Sequence, residues 1–273
     1  MPRPAKPAGG GRARLSRIRL GDVLLTRLGV PKIWREDPEV LWPAMRYFVA
    51  PVIMWLAPSV AYGVERVPLS GGAVMAANQL SAIDSPLIGA FSPRAIYYMS
   101  KAELLAIPLA GEAFRWGGTF PVRRDEPDRE ALRHACEVVR AGHVVGVHLE
   151  GTRQRFGYPG TFKGGGLMIA MREGVPVVPC GLETFGWSLR NRRRCAVVWG
   201  EPISLDGLPR GRAGLRQATE IVGAELVRLW RQAAEAIVAG LPPTLPDGSP
   251  RSGPIPAGWR PGDPFVDRSP VLS

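Results

Sequence analysis

Residues 73–84 read AVMAANQLSAID, an apolar run that passes directly into polar and charged residues. Ala73–Ala77 have the length and the apolar composition of a buried strand, which is expected to end at Asn78. Ligands bind beyond the carboxyl ends of strands in open α/β sheets, so this junction is a candidate site. The segment Ser81–Asp84 also fits a plain helix-capping box, with Pro86 near the first helical turn.

The sequence after this stretch alternates between apolar strands and amphipathic helices. Strands are predicted over 95–99, 144–149, 175–182 and 195–199, and helices over 125–141, 167–172 and 212–239. The last helix carries its apolar residues on one stripe, which is typical of packing against a core. This order predicts an α/β domain over residues 61–240, with a mixed, largely parallel sheet flanked by helices.

The two ends of the chain differ from this domain in composition. Residues 1–16 are rich in proline, glycine and arginine, and residues 241–273 are rich in proline, so both are expected to be disordered. The basic residues of the first segment also fit a contact with an anionic membrane surface, which is the alternative interpretation.

Residues 17–60 are predicted to form an amphipathic helical segment that contacts a membrane, chiefly through its apolar part at 39–60. The uncharged run is shorter than the roughly 18–20 residues that a spanning helix needs. Trp42, Tyr47 and Trp55 suit a membrane interface, where amphipathic rings lie. A helix in the plane of the interface is therefore favoured over a helix buried on the domain and over a true span.

The net charge limits the class of binding partner, and the cysteines bear on metal binding and on the cellular compartment. A net charge of +11 indicates nucleic acid, anionic lipid or a phosphorylated substrate. Nucleic acid is disfavoured because the chain has no helix-turn-helix, zinc or aromatic stacking signature. The three cysteines show neither metal-ligand spacing nor a disulfide framework, so we expect no metal and reduced thiols in a cytosol-facing protein.

Four further segments carry polar or glycine-rich sequence near predicted strands and helices. They are GGTFPVRR at 117–124, HLEGTR at 148–153, FKGGG at 162–166 and GVPVVPC at 174–180. The second ends a buried strand in charged groups, which are costly there unless paired and therefore favour a site. The third can receive phosphate at a helix start, or is simply a flexible loop. The first is a weak anion site by itself, and the fourth is expected to be a core strand.

In this order and at these spacings, the five segments resemble the lysophosphatidic acid acyltransferase family. The blocks of that family read roughly Asn-His-x-Ser-x-x-Asp, Gly-x-(Phe/Ile)-x-Val-x-Arg, Phe-Pro-Glu-Gly-Thr-Arg, Phe-Lys-x-Gly and Pro-Val-Val-Pro. The likeness covers residues 60–205, with GVERVP at 63–68 and GEPI at 200–203 also similar. No single block is specific, whereas the ordered set is.

The resemblance implies transfer of a fatty acyl group from acyl-CoA or acyl carrier protein to the hydroxyl of a lysophospholipid. The expected acceptor is lysophosphatidate, the expected setting is phospholipid biosynthesis at the cytoplasmic face of a membrane, and no cofactor is implied. In the family the first-block histidine is the general base and the aspartate orients it. Asp84, Ser81 and Asn78 match the family residues, but Gln79 stands in place of the histidine.

The resemblance also assigns the binding of the acceptor's phosphate. The implied residues are the matching basic side chains and the third-block loop, namely Arg124, Glu150, Gly151, Thr152, Arg153 and Lys163. Arginine and lysine side chains suit this role because charge-assisted hydrogen bonds to phosphate are among the stronger ones.

Gln79 cannot replace the histidine as a general base, because its amide neither gains nor loses a proton near neutral pH. In one explanation His148 supplies the base, since it shares a strand face with Glu150, although a core histidine is the plainer interpretation. In a second, the chain is an inactive relative that binds lysolipid or acyl donor, or regulates a partner. In a third, the glutamine is a deliberate substitution or a sequence error in an ordinary enzyme.

Overall fold

The computed structural model describes residues 38–101, 105, 111, 117–122 and 128–239. These residues form seven strands: β1 (Ser59–Tyr62), β2 (Ala73–Ala77), β3 (Ile96–Lys101), β4 (Phe120–Val122), β5 (Val144–His148), β6 (Val177–Glu183) and β7 (Cys195–Trp199). The helices named here are α1 (Pro38–Leu56), α2 (Asp84–Phe91), α3 (Arg129–Arg140), α4 (Leu167–Glu173) and α5 (Arg212–Ala239). Short 3₁₀ turns cover Val64–Arg66 and Gly164–Gly166.

The strands form one sheet in the order β1-β7-β6-β2-β5-β3-β4. All neighbouring pairs run parallel except β6 and β7, so the predicted mixed, largely parallel sheet is confirmed. β2 lies near the centre, where Ala77 is in register with His148 on one side and with Cys180 on the other. The carboxyl ends of β2 and β5 therefore meet at one edge of the sheet, and β6 continues past them.

The residues of β2 alternate between two cores, as expected for a central strand. Val74 and Ala76 belong to the core that α3, α4 and α5 cover. Ala73, Met75 and Ala77 belong to the opposite core, which includes Leu87 and Ile88 of α2. The two layers of helices hold the loops at the carboxyl edge against a rigid sheet.

The predicted elements agree with the structure to within a few residues, with two strands missed. β1 and β4 are only four and three residues long, and β4 contains Pro121, so neither gives a clear periodic signal. The helix predicted from residue 125 begins at Arg129 in the described chain, where the Asp128 side chain accepts from the Ala131 N–H at 3.0 Å. Residues 125–127 lie outside the described residues.

The apolar stretch at 39–60 contains α1, which carries Pro43 and Pro51 within it. Ile53 of this helix and Ala57, just after it, pack in the core that includes Leu87 and Ile88 of α2. The outer face of α1 exposes large side chains: Tyr47, Phe48, Val49, Val52, Met54 and Trp55. Among the described helices, none combines the length and the apolar composition needed to cross a membrane. The predictions for residues 1–37 and 241–273 lie outside the described residues.

Candidate active site

Asn78 fixes the spacing of the strands at the carboxyl edge. Its side chain is buried and pairs with the backbone of Leu182, donating from Nδ2 to the carbonyl at 2.9 Å and accepting at Oδ1 from the N–H at 2.8 Å. These two hydrogen bonds continue the β2–β6 pairing beyond the end of β2. The residues that follow Asn78 therefore start from a fixed position.

Asp84 is fully buried at the start of α2 and is surrounded by donors. Its Oδ2 accepts from the N–H groups of Leu80 at 2.7 Å and Ser81 at 2.9 Å. Its Oδ1 accepts from the Ser81 hydroxyl at 3.1 Å and from the Thr184 hydroxyl. Thr184 follows β6 and was not singled out from the sequence.

Burial raises the pKa of Asp84, and the neighbouring charge of His148 and these hydrogen bonds oppose that rise. Hydrogen bonds donated to the oxygens favour the charged carboxylate. The Ser81 hydroxyl also accepts from the Ile83 N–H at 3.3 Å, so the turn has the reciprocal bonds of a capping box. The turn lies just before α2, however, and the N-cap of that helix is Ile83 and not Ser81.

His148, the last residue of β5, lies between Asn78 and Ser85. Its Nδ1 is 2.9 Å from the Asn78 carbonyl oxygen, and its Nε2 is 2.9 Å from the Ser85 Oγ. A carbonyl oxygen can only accept, so the hydrogen lies on Nδ1 and the Nε2 lone pair of a neutral ring faces the Ser85 hydroxyl. The ring stacks against Tyr98, with centroids 6.1 Å apart. Ser85 was missed from the sequence, where it reads as an ordinary first-turn residue.

Gln79 is half-buried between Asn78 and Leu80. Its side-chain Oε1 is buried and has no hydrogen-bond donor among the described residues. Its backbone carbonyl accepts from the Gln154 N–H at 2.9 Å, which ties the loop after β5 to the end of β2. The Gln79 residue is therefore held at the carboxyl edge of the sheet, where its Oε1 atom has no donor among the described residues.

Glu150 has the opposite environment from Asp84. It is only 1% exposed, and neither carboxylate oxygen has a hydrogen bond of normal geometry. Burial raises the pKa of Glu150 to about 8, although nearby N–H groups of Glu150 itself, Gln79 and Gly160 act against the rise. Burial therefore favours the protonated form of this carboxyl over a wider pH range than for an ordinary glutamate.

The loop after Glu150 forms an exposed basic rim. Gly151 adopts a left-handed conformation with φ of 69°, and the Lys163 Nζ lies 3.5 Å from the position that a Cβ on residue 151 would take. Thr152, Arg153 and Lys163 are exposed, and the Lys163 N–H donates to the Leu149 carbonyl at 2.7 Å. The structure thus places the fourth-block lysine beside the third-block loop. Arg124 lies outside the described residues.

The acidic, histidine and cysteine side chains show no metal-binding arrangement in the part of the chain that the structure describes. Within the described ranges, no group of three or more His, Cys, Asp or Glu side chains is arranged to hold a metal ion. The three cysteines are free and buried.

Comparison with known proteins agrees with this arrangement. Residues 59–183 match the family described as Acyltransferase. A 1-acyl-sn-glycerol-3-phosphate acyltransferase of Bacillus subtilis is 28% identical over 145 residues, 52% of this chain and 72% of that protein. A lyso-ornithine lipid O-acyltransferase of Pseudomonas aeruginosa is 33% identical over 135 residues, 47% of this chain and 52% of that protein. The chain spans only 37% of a longer chloroplast relative from Brassica napus.

A solved structure shares the fold. The 1-acyl-sn-glycerophosphate acyltransferase of Thermotoga maritima superposes with a TM-score of 0.60 at 25% identity, covering 76% of this chain and 86% of that one. The matched range contains the sheet edge with Asp84, Ser81 and the Gly-Thr-Arg loop. The chain is therefore similar in sequence and in fold to the lysophosphatidic acid acyltransferases, and its residues 59–183 match the Acyltransferase family.

Proposed function

We propose that this protein transfers a fatty acyl group from a thioester, acyl-CoA or acyl carrier protein, to the hydroxyl of a lysophospholipid. The observation that carries the proposal is the His148 imidazole at the carboxyl edge of the sheet, with Nδ1 against the Asn78 carbonyl, Nε2 against the Ser85 hydroxyl and Asp84 nearby. The Nε2 atom of a neutral imidazole can act as a general base, which the Gln79 amide cannot.

Position distinguishes His148 from the other histidines of the described chain. His143 precedes β5 at the opposite edge of the sheet, and His134 lies on α3. Among the described residues, only His148 combines an imidazole with the carboxyl edge. The negative charge of Asp84 favours the imidazolium that forms when His148 takes a proton. Gln79 then has a supporting role, because its unpartnered Oε1 can accept a hydrogen bond from the acceptor hydroxyl.

The basic rim supports a phosphorylated acceptor. Arg153 and Lys163 are exposed, and neither has a carboxylate partner among the described residues. Both donate charge-assisted hydrogen bonds suited to phosphate, and arginine can do so in bidentate fashion. We propose lysophosphatidate as the acceptor, with Gly151 and Thr152 shaping the loop that receives the headgroup. The contribution of Arg124 remains a prediction.

The outer face of α1 supports contact with an anionic membrane surface. Tyr47, Phe48 and Trp55 are all more than half exposed, at 75%, 70% and 61%. Arg192 lies over the Trp55 ring, 4.1 Å from its centroid, and exposed Arg194 lies nearby in sequence. Aromatic rings beside arginines suit the boundary between acyl chains and anionic headgroups. We propose that α1 lies in the cytoplasmic interface and presents the site to lipid.

A second candidate function is lipid binding without turnover. The observation that favours it is the saturation of Asp84, whose two oxygens already accept four hydrogen bonds while glutamine occupies the position of the family histidine. In that case the pocket would retain lysolipid or acyl donor for a partner. The relative that acts on lyso-ornithine lipid also makes the acceptor headgroup a question for experiment.

The test is acyl transfer from labelled acyl-CoA to lysophosphatidate in detergent. The native chain should turn over, His148→Ala should lose activity about 10²–10⁴-fold, as general-base removal does, and His143→Ala should not. Gln79→His should restore activity to the His148→Ala chain if the two positions are interchangeable. Native activity that His148→Ala leaves intact would refute the assignment of the base. Lysolipid binding without turnover in the native chain would establish the second candidate.

A further inference from the structure

We propose that Ser85 is a nucleophile, which accepts the acyl group as an ester before the lysolipid hydroxyl takes it. The inference rests on the proposed acyl transfer and deepens it, because it replaces direct transfer with a covalent intermediate. It follows from the pairing of Ser85 with His148, which the resemblance to the family does not include.

The pair has the geometry of an activated serine. The Ser85 Oγ lies 2.9 Å from His148 Nε2, and His148 Nδ1 lies 2.9 Å from the Asn78 carbonyl oxygen. The three groups stand in the order nucleophile, base and orienting acceptor, which is the arrangement that activates a hydroxyl. The orienting acceptor fixes the tautomer so that the lone pair, and not an N–H, faces the serine.

The same contact disfavours direct attack of the acceptor hydroxyl on the thioester. The Nε2 lone pair that would take the proton of an acceptor hydroxyl is already engaged by the Ser85 hydroxyl. An incoming hydroxyl must displace Ser85 from Nε2 or react with a group that Ser85 carries. Reaction through Ser85 uses the hydrogen bond that already joins Ser85 to His148.

Charge and backbone position also favour Ser85. Asp84 precedes it and interacts with His148, and in its charged form it would stabilise the imidazolium that forms during attack. Ser85 lies in the first turn of α2, and its own N–H has no acceptor among the described residues. An unpaired N–H at the positive end of a helix can donate to a developing oxyanion. Ser85 and His148 are both half-buried, at the boundary between the core and solvent.

The two steps balance. In the first, the Ser85 oxygen attacks the thioester carbonyl, His148 takes the hydroxyl proton, the carbon–sulfur bond breaks and the proton passes to the leaving thiolate. In the second, the lysolipid hydroxyl attacks the serine ester, His148 takes its proton, the bond to Ser85 breaks and the proton returns to the serine oxygen. No oxidant, metal or further reactant is needed.

The experiment mixes the full chain with palmitoyl-CoA in detergent without any acceptor. We expect a burst of free CoA thiol, about one equivalent per chain, as acyl-enzyme accumulates. The three cysteines are buried, so a thiol reagent should report chiefly released CoA. Mass spectrometry of peptides should place a palmitoyl group on the peptide that contains Ser85, and lysophosphatidate should remove it.

Two variants separate chemistry from folding. Ser85→Ala should abolish the adduct, while Ser204→Ala should leave it unchanged, because Ser204 follows Ile203, which pairs with Val177 at the opposite end of β6. Ser85→Cys keeps a nucleophile and should give an adduct that neutral hydroxylamine removes, as expected of a thioester and not of an ester. That change of lability can arise only if the acyl group is carried on residue 85.

The outcomes distinguish this inference from the proposed function. Turnover with lysophosphatidate but no adduct on residue 85, and full activity in a folded Ser85→Ala chain, would overturn the covalent step and leave acyl transfer standing. No release of CoA with or without lysophosphatidate would remove acyl transfer itself, and with it the covalent step. An adduct that forms and is then transferred to lysophosphatidate supports both.

Discussion

Two buried carboxyl groups lie at the same edge of the sheet and have opposite surroundings. Asp84 accepts four hydrogen bonds and lies near an imidazole, whereas Glu150 has no hydrogen bond of normal geometry on either oxygen. Both are almost wholly removed from solvent, at 0% and 1% exposure. The difference lies in the donors that each group finds.

The comparison teaches that two equally buried carboxyl groups can find very different support for their charged forms. Burial raises the pKa of Asp84, while four donated hydrogen bonds and the neighbouring His148 act to lower it. At Glu150 the nearby N–H groups form no hydrogen bond of normal geometry, and burial raises the pKa to about 8. The charged form of Asp84 is therefore supported by its surroundings far more than the charged form of Glu150.

The largest expected effect comes from removing the charge of Asp84 with Asp84→Asn. The imidazolium of His148 then loses its stabilising anion, and we expect the rate of acyl transfer to fall about 10²–10⁴-fold. The new amide NH₂ group would also face the N–H and hydroxyl donors that now contact Asp84. The free energy of unfolding should therefore fall by about 1–3 kcal/mol. Steady-state assays and urea unfolding measure the two losses.

Thr184→Val is the matched control for Asp84→Asn. It removes one hydroxyl donor from the Asp84 Oδ1 and leaves the charge in place. The expected loss of stability is about 1 kcal/mol, with a small change in rate. A rate loss as large as that of Asp84→Asn would show that geometry, and not charge, is what Asp84 contributes.

The next effect is a dependence of stability on pH that Glu150→Gln should remove. The pKa of Glu150 is about 8 in the folded chain, against an ordinary value of 4.5. Between these two values the folded chain holds a proton that the unfolded chain has released. The free energy of unfolding therefore falls as the pH rises through this window, by an amount on the order of a few kcal/mol.

Urea unfolding of the native chain and of Glu150→Gln at pH 5, 7 and 9 tests this directly. The variant should be the more stable of the two at pH 9 and should lose stability less steeply between pH 5 and pH 9. Equal slopes for the two proteins would mean that Glu150 ionises at its ordinary pKa, and the contrast with Asp84 would disappear.

A smaller effect concerns the rim above Glu150. Arg153→Ala and Lys163→Ala should each raise the KM for lysophosphatidate about 10-fold with little change in kcat, because each removes a charge-assisted hydrogen bond made throughout the reaction. Arg155→Ala is the matched control, since Arg155 is exposed in the same loop but lies outside the matched block. An acceptor without phosphate, such as lyso-ornithine lipid, should be insensitive to these changes. Equal sensitivity would argue that the rim binds the acyl donor.

The smallest effect on the chemistry is expected from α1, which lies apart from both carboxyl groups. A Tyr47→Ser, Trp55→Ser chain should bind vesicles that contain anionic lipid more weakly while keeping its activity in detergent. Flotation at matched salt measures the first and the acyl transfer assay the second. Unchanged flotation would place the membrane contact elsewhere on the chain.

Much of the fold could be predicted from the sequence because local signals were strong. The apolar run at Ala73–Ala77, the capped helix before Gly142 and the long stripe of 212–239 each agree with the structure. β1 and β4 were missed because three or four residues give too little periodicity. The opposite surroundings of Asp84 and Glu150 could not be predicted, since they depend on donors supplied by other segments.

The candidate site shows the same division. The family blocks indicated Asp84, Ser81 and the Gly-Thr-Arg loop, because spacing within a block is local information. Thr184 is 100 residues from Asp84 and reaches it only through the parallel register of β2 and β6. Ser85 is 63 residues from His148, and the parallel pairing of β2 and β5 brings the two together. Contacts set by register are invisible until the sheet order is known.

The hydrogen bonds made by Asn78 have a consequence for the order in which structure and activity are lost on heating. One residue holds β6 through its side chain and holds the imidazole ring through its carbonyl oxygen. Any fluctuation that parts β6 from β2 at this edge also releases the ring from its orientation. The orientation of the proposed base is therefore tied to the local integrity of the sheet, and heating that opens this edge should also release the ring.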